Sequence, residues 1–194
     1  DAGSVYDWGK VQDSSVTKLD NVVLLGANQD AFAAVRNDGR AFSWGNDGYG
    51  GKCPTCASDS SGADQRYNPP DSNHYPKAIF SNKKAFVLLL ENGKLVVWGS
   101  STYGGCSSDD DTCFLKTTTD LTTDSSDANL LSGVVTVFAT LRAFAALTAE
   151  STDNVYVWGP VASGGCNSGA GTAAYKCKPD FTSVGIKTIF SGMN

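Results

Sequence analysis

Apolar and polar positions fall into one pattern that returns along the chain. A short apolar run meets a turn with Asn or Asp before Gly. A second, alternating run then ends at Trp-Gly. The first copy is Ala31-Phe32-Ala33-Ala34-Val35, the turn Asn37-Asp38-Gly39, and Ala41-Phe42-Ser43-Trp44-Gly45. The second is Ala85-Phe86-Val87-Leu88-Leu89-Leu90, the turn Asn92-Gly93, and Leu95-Val96-Val97-Trp98-Gly99. The third is Ala143-Phe144-Ala145-Ala146-Leu147, a longer turn from Thr148 to Asn154, and Val155-Tyr156-Val157-Trp158-Gly159. A fourth copy is split: Val5-Tyr6-Asp7-Trp8-Gly9 has the form of its end, and Ile186-Lys187-Thr188-Ile189-Phe190 that of its beginning. Alternation with period two is the mark of strands, and Asn-Gly or Asp-Gly supplies the positive φ of tight hairpins. Each copy therefore predicts strand, hairpin, strand. A further short strand precedes each Ala-Phe, at 22–25, 78–80, 134–138 and 186–190, and a fourth is expected in the loop that follows.

The expected fold class is all-β: tandem antiparallel β-sheet repeats, three whole units plus a split fourth. The units run over 22–76, 77–133 and 134–183, with 1–9 as the end of a split unit and 184–194 as the start of the next. Because the pattern opens in mid-unit at Asp1, a segment upstream of it is expected.

Loops and cysteines follow the repeat. The Trp-to-Trp spacings are 36, 54 and 60 residues, and the short first interval lacks the loop that the others carry. After three of the four Trp-Gly pairs stands Gly50-Gly51, Gly104-Gly105 or Gly164-Gly165. A cysteine follows each, at Cys53, Cys106 and Cys166, and a second one closes the same loop at Cys56, Cys113 and Cys177. The unit after Trp8 lacks loop and cysteines together. One pair per loop argues for local bridges Cys53–Cys56, Cys106–Cys113 and Cys166–Cys177, each worth about 2–3 kcal/mol or less because the loops are short. Cys53-Pro54-Thr55-Cys56 also has the spacing of a redox or zinc half-site. Zinc needs four ligands and the only histidine is His74, so a site would take four thiolates from neighbouring units. The βαβ setting of a thioredoxin-like motif is missing.

A three-stranded unit with two apolar faces cannot bury them alone, so neighbours must stack on it. Phe32, Phe86 and Phe144 occupy equivalent positions, as do Trp8, Trp44, Trp98 and Trp158. These aromatics are expected in the core, each Trp hiding about 200 Å² between units. A platform for stacking sugars is the alternative. The split unit predicts unpaired edges at both ends, which head-to-tail association between copies, or further repeats of a longer chain, would cover.

Composition narrows the function classes. The chain carries a net charge of −5, and only 18% of its 194 residues are charged. An acidic chain with no basic cluster beyond Lys83-Lys84 argues against nucleic acid as a partner. No apolar run approaches the ~20 residues of a membrane-spanning helix, and membrane insertion is not expected. An even cysteine count in a polar, acidic chain points to an oxidising compartment, and so to a secreted protein at the cell surface. His74 lies in a Pro-rich loop and reads as solvent-exposed, with no nucleophile motif to serve. Asp109-Asp110-Asp111 offers carboxylates without EF-hand spacing and reads as a solvated charge run rather than a calcium site. Thr117-Thr118-Thr119, Thr122-Thr123 and Ser125-Ser126 are candidates for O-linked sugar beside the simpler reading of a polar loop. No catalytic residue, cofactor site or metal site is expected, and the chain is read as non-enzymatic.

The string Asp38-Gly39-Arg40-Ala41-Phe42-Ser43-Trp44-Gly45-Asn46-Asp47-Gly48-Tyr49-Gly50-Gly51 resembles the regulator-of-chromosome-condensation repeat, in the variant of large bacterial and protist surface proteins. The resemblance covers the core of every unit, about half the chain, and fades in the loops. It implies a β-propeller of four-stranded blades, usually seven to a ring. Three units and two pieces are too few for that ring, so the resemblance implies propeller-blade-like units in an open array or partial propeller. The nuclear member's exchange of nucleotide on a small GTPase and its docking on chromatin are not carried over, since no exchange-factor residue matches. A secreted propeller of the family inhibits β-lactamases, which gives protein binding outside the cell a precedent. The expected function is thus a structural repeat protein of a surface filament, coat or appendage. The alternative is a secreted module that binds a protein or glycan through its stapled loops. Peptide mapping without reduction is expected to recover the three local cysteine pairs; cross-unit pairs or free thiols would overturn that assignment.

Overall fold

The computed structural model describes residues 3–5, 18–51, 62–105, 133–149 and 155–165. All six cysteines, Trp8, Asp109–Asp111, the Thr/Ser run and the segment 184–194 lie outside the described residues.

Among the described residues eleven strands form three antiparallel sheets, and no α-helix occurs. The first sheet has the order β1-β2-β3-β4-β5, with β1 at Gly3–Val5, β2 at Leu19–Ala27, β3 at Ala31–Arg36, β4 at Ala41–Gly45 and β5 at Asp64–Tyr67. The second is β6 (Pro76–Ser81), β7 (Ala85–Leu90) and β8 (Leu95–Gly99) in that order. The third places β10 (Phe144–Thr148) between β9 (Val134–Ala139) and β11 (Val155–Trp158). The protein is all-β, a tandem array of antiparallel sheets, one per repeat. The fourth strand expected in the loop exists in the first unit as β5, paired with β4. The strand Gly3–Val5 lies beside β2 in that same sheet.

The two short hairpins differ from the expected geometry. Gly39 and Gly93 alone take positive φ (80° and 75°); Asp38 and Asn92 do not. The Gly39 amide donates to the Arg36 carbonyl and the Arg36 amide to that of Arg40. Gly93, Leu90 and Lys94 repeat the scheme. This is a three-residue connection, a type I turn closed by a glycine bulge, in which one left-handed residue suffices.

A feature not legible in the pattern recurs in the first strand of every unit. The register slips by one residue between Val22 and Leu24, between Pro76 and Ala78, and opposite Leu147 and Thr148. The extra residues are Val23, Lys77 and Val135, all turned to solvent. A bulge at this place bends the strand and increases its twist.

Alternation along the central strand decides which neighbour each side chain meets. Ala85, Val87 and Leu89 of β7 pack with Phe144, Ala146 and Trp158 of the third unit. Phe86, Leu88 and Leu90 pack with Ala31, Ala33 and Val35 of the first. Every residue of β7 is therefore buried, each large one worth about 1.5–3 kcal/mol. First strands also meet: Ser81 Oγ donates to the Ala27 carbonyl at 2.7 Å, and the Ile79 side chain lies where a Cβ on Gly26 would stand.

The Gly-Gly pair has a close-packing reason. The second glycine of the pair lies against the backbone that follows the Trp. A Cβ on Gly105 would stand 2.6 Å from the Gly99 carbonyl carbon and 2.9 Å from the Ala85 Cβ. Gly105→Ala is expected to destabilise the protein by about 1–3 kcal/mol through this overlap, read as a lower urea midpoint. An unchanged midpoint would show that the turn has room.

Candidate functional site

The residues that recur with most geometric fidelity are those joining one unit to the next. Phe and Trp stand opposite one another on adjacent strands, at Phe32↔Trp44, Phe86↔Trp98 and Phe144↔Trp158. Their rings stack at centroid distances of 5.6, 5.3 and 5.4 Å, with interplanar angles of 18°, 23° and 22°. Such a pair adds about 0.5–1.5 kcal/mol beyond its buried area.

Each inner pair receives a glycine turn from the preceding unit. The chain leaves Trp-Gly through a short 3-10 turn, Asp47–Tyr49 in the first unit and Ser101–Tyr103 in the second. Left-handed Gly50 and Gly104 close these turns. A Cβ on Gly50 would lie 3.1 Å from Trp98 Cδ1 and 3.3 Å from Phe86 Cδ2. One on Gly104 would lie 3.2 Å from Trp158 Cδ1 and 3.3 Å from Phe144 Cδ2. The Trp98 Nε1–H donates to the Gly50 carbonyl at 3.0 Å, and Trp158 Nε1–H to that of Gly104 at 3.0 Å. The contact thus combines a ring face, a bare glycine and a buried hydrogen bond.

Polar side chains fix the turn that carries the carbonyl. Asn28 Nδ2 donates to the Tyr49 carbonyl at 2.7 Å, Asn82 Nδ2 to that of Tyr103 at 2.6 Å, and Thr140 Oγ1 to that of Ser163 at 3.0 Å. In the first unit Arg66 Nε donates to Ser43 Oγ at 2.6 Å and its Nη2 to the Gly50 carbonyl at 3.2 Å. Burial pushes the Arg66 guanidinium down to about 10, against Asp64 and Asp47, which hold it up. It remains charged at neutral pH, which strengthens the hydrogen bonds it donates to Ser43 Oγ and the Gly50 carbonyl.

Above the turns runs a line of cations and rings. The Lys84 ammonium sits 4.4 Å from the Tyr49 ring centroid and 5.3 Å from that of Tyr103; the Arg142 guanidinium sits 4.7 Å from Tyr103. Tyr49 and Lys84 belong to successive units, as do Tyr103 and Arg142, so each joint carries one cation–π contact across it. Sequence reasoning missed this line. Its signal was the basic residue before two of the three Ala-Phe pairs (Lys84, Arg142) read together with the Tyr before two of the three Gly-Gly pairs (Tyr49, Tyr103).

The same parts in the first and third units differ in their surroundings among the described residues. Phe86 and Phe144 are buried, whereas Phe32 is 36% exposed. Trp44 is buried as well, but its Nε1 has no hydrogen-bond partner among the described residues, unlike those of Trp98 and Trp158. In the turns, Gly50 and Gly104 are buried, whereas Gly164 is exposed, with nothing among the described residues within 4 Å of its Cβ position.

His74 is not the solvent-exposed residue its loop suggests. Its side chain is 16% exposed and its Nδ1 lies 2.7 Å from Asp71 Oδ1. That bond holds the Asp71 carboxyl below its ordinary value. The Tyr67 hydroxyl, raised to about 12 by burial, donates to the His74 carbonyl at 3.0 Å. These contacts tie β5 to the turn at Ser72–His74, with no nucleophile in the group. Among the described residues, no three His, Cys, Asp or Glu side chains converge to hold a metal ion.

Fold and joints define a repeat protein made of stacked, blade-like antiparallel sheets. Among solved structures the chain is similar to human WBSCR16, with 23% identity over 74% of this chain and 37% of that one, at a TM-score of 0.43. It is also similar to Prp20p from Saccharomyces cerevisiae, described with its binding to Gsp1p and histones. There the identity is 14% over 75% of this chain and 35% of that one, at a TM-score of 0.48. A yeast RCC1 (Prp20) structure with Kap60 bound gives 15% identity over 81% and 40%, at a TM-score of 0.48. The chain spans about two fifths or less of the length of these structures. No family model and no curated protein matches it.

Trp98→Phe removes a donor from a bond that Trp44 does not make. It is therefore expected to cost about 1 kcal/mol more than Trp44→Phe in chemical denaturation of the single chain. Equal costs would remove the carbonyl bond from the joint's energetics.

Proposed function

We propose that this chain is a non-catalytic structural repeat protein of the cell exterior, a subunit or segment of a filament, coat or appendage built by stacking units end to end. One observation carries the reading: among the described residues the ring–glycine joint recurs with the same atoms from the first unit to the second and from the second to the third, in one sense. Apolar sheet faces of this kind need a neighbour of the same make, and an array that supplies one at each end extends. The acidic charge and the pairing of cysteines with loops support an oxidising exterior.

A second reading has its own observation. In the sequence, a variable segment with two cysteines follows each of Gly50-Gly51, Gly104-Gly105 and Gly164-Gly165. Three such segments at equivalent places in the repeat suit a module that grips a protein or glycan with cysteine-stapled loops.

Intact source cells treated with a membrane-impermeant label, followed by negative-stain microscopy of the native material, test the first reading. Labelled protein in extended polymers is the expected result. Labelled, compact particles that capture a protein or glycan would favour the second, and an unlabelled protein with six free thiols would overturn both.

A further inference from the structure

We infer that the turn surface lined by Tyr49, Lys84, Tyr103 and Arg142 binds an acidic polysaccharide, whose anionic groups seat on the two cations. Neither reading above assigns a ligand to these turns, and the site is built from described residues alone.

Two turns bring the cations together. Lys83-Lys84, the basic pair of the sequence, stands between β6 and β7, and Arg142 between β9 and β10. The Lys83 amide donates to the Leu141 carbonyl at 3.3 Å, which fastens one turn to the other. Lys84 and Arg142 then share a ring: the ammonium stands 5.3 Å and the guanidinium 4.7 Å from the Tyr103 centroid. Like charges this close repel. Among the described residues no carboxylate lies within ion-pair distance of either. In a chain of net charge −5 acids outnumber bases, so a cation pair left without an acid is a local positive site on an acidic protein. An anion bridging the pair relieves the repulsion. Both cations and both tyrosines are half-buried, so the rings hold the charges in place, and less side-chain freedom is lost on binding than with loose surface residues.

Neighbouring groups select the kind of polyanion. Neither the Tyr49 nor the Tyr103 hydroxyl makes a hydrogen bond among the described residues. Ser101 and Thr102, on the turn that carries Tyr103, are exposed. The surface thus sets cations among hydroxyls across two joints, and suits a chain that itself sets anions among hydroxyls. Nucleic acid wants a broad basic field. Here Asp47 shares the turn of Tyr49, and the Asn46 amide ties that turn to the Asp30 carbonyl, which puts acids beside the cations. An acidic peptide brings carboxylates but few partners for the hydroxyls.

Surface plasmon resonance of the 194-residue chain over immobilised polygalacturonate, dextran sulfate, polyglutamate and plain dextran tests the site. The two acidic glycans are expected to bind and plain dextran to give no signal. Affinity should fall about tenfold between ~50 and ~200 mM salt. Lys84→Gln with Arg142→Gln is expected to weaken binding about tenfold or more. Lys77→Gln removes an exposed cation at the far end of β6 and is expected to change nothing. Because Lys84 and Arg142 also brace the joints, Lys84→Arg with Arg142→Lys provides a second variant that keeps both charges; it is expected to bind, with the urea midpoint reporting its folding. No binding to either acidic glycan, binding indifferent to the Gln pair, or an equal loss from Lys77→Gln overturns the site. Polyglutamate binding as tightly as the glycans overturns the polysaccharide as occupant and points to an acidic protein.

Discussion

The contact of an indole ring with a bare glycine from the preceding unit is what the rest of this structure is arranged around. It needs three things at once: a ring held flat, a turn without a Cβ, and a carbonyl aimed at Nε1. The stacked Phe supplies the first, the left-handed glycine the second, and the Asn or Thr that grips the turn the third. None of these is worth much more than about 1 kcal/mol alone. Together they fix how far apart two sheets lie, and the apolar burial between sheets follows from that spacing. The second unit, covered on both faces, shows the full effect in the complete burial of β7.

Much of this was legible in the sequence because the repeat reports it three times over. Period-two alternation located β3, β4, β7, β8, β10 and β11, and Trp-Gly with Gly-Gly marked the turn between a unit and its loop. The bulges at Val23, Lys77 and Val135 were not legible. An extra residue in one strand shows only against its paired strand, and these three share no residue type. The hairpins were read as tighter than they are, because Asp-Gly and Asn-Gly serve both the two-residue turn and the bulged three-residue one.

Site residues divided in the same way. The Phe and Trp positions were plain from spacing, but their roles depend on what approaches them, which no single unit encodes. Phe32 and Phe86 are equivalent in sequence and differ in exposure; Phe86 is buried against Ala31, Ala33 and Val35 of the unit before it. Arg66 was passed over because it belongs to a loop strand present in one described sheet, and its bonds to Ser43 and Gly50 cross from that strand to the turn. His74 was read from its Pro-rich surroundings, which imply exposure; the carboxylate of Asp71, three residues away, turns the imidazole inward.

The division of bulk between the first two sheets has a further consequence. The first offers Ala31, Ala33 and Val35, and the second answers with Phe86 and Trp98. Smaller side chains on one sheet make room for the rings of the next, so these neighbours meet by unlike sides, like nested cups. An assembly of this kind has no twofold axis between neighbours, and its two tips are chemically unlike, so growth and capping at one tip need not resemble those at the other.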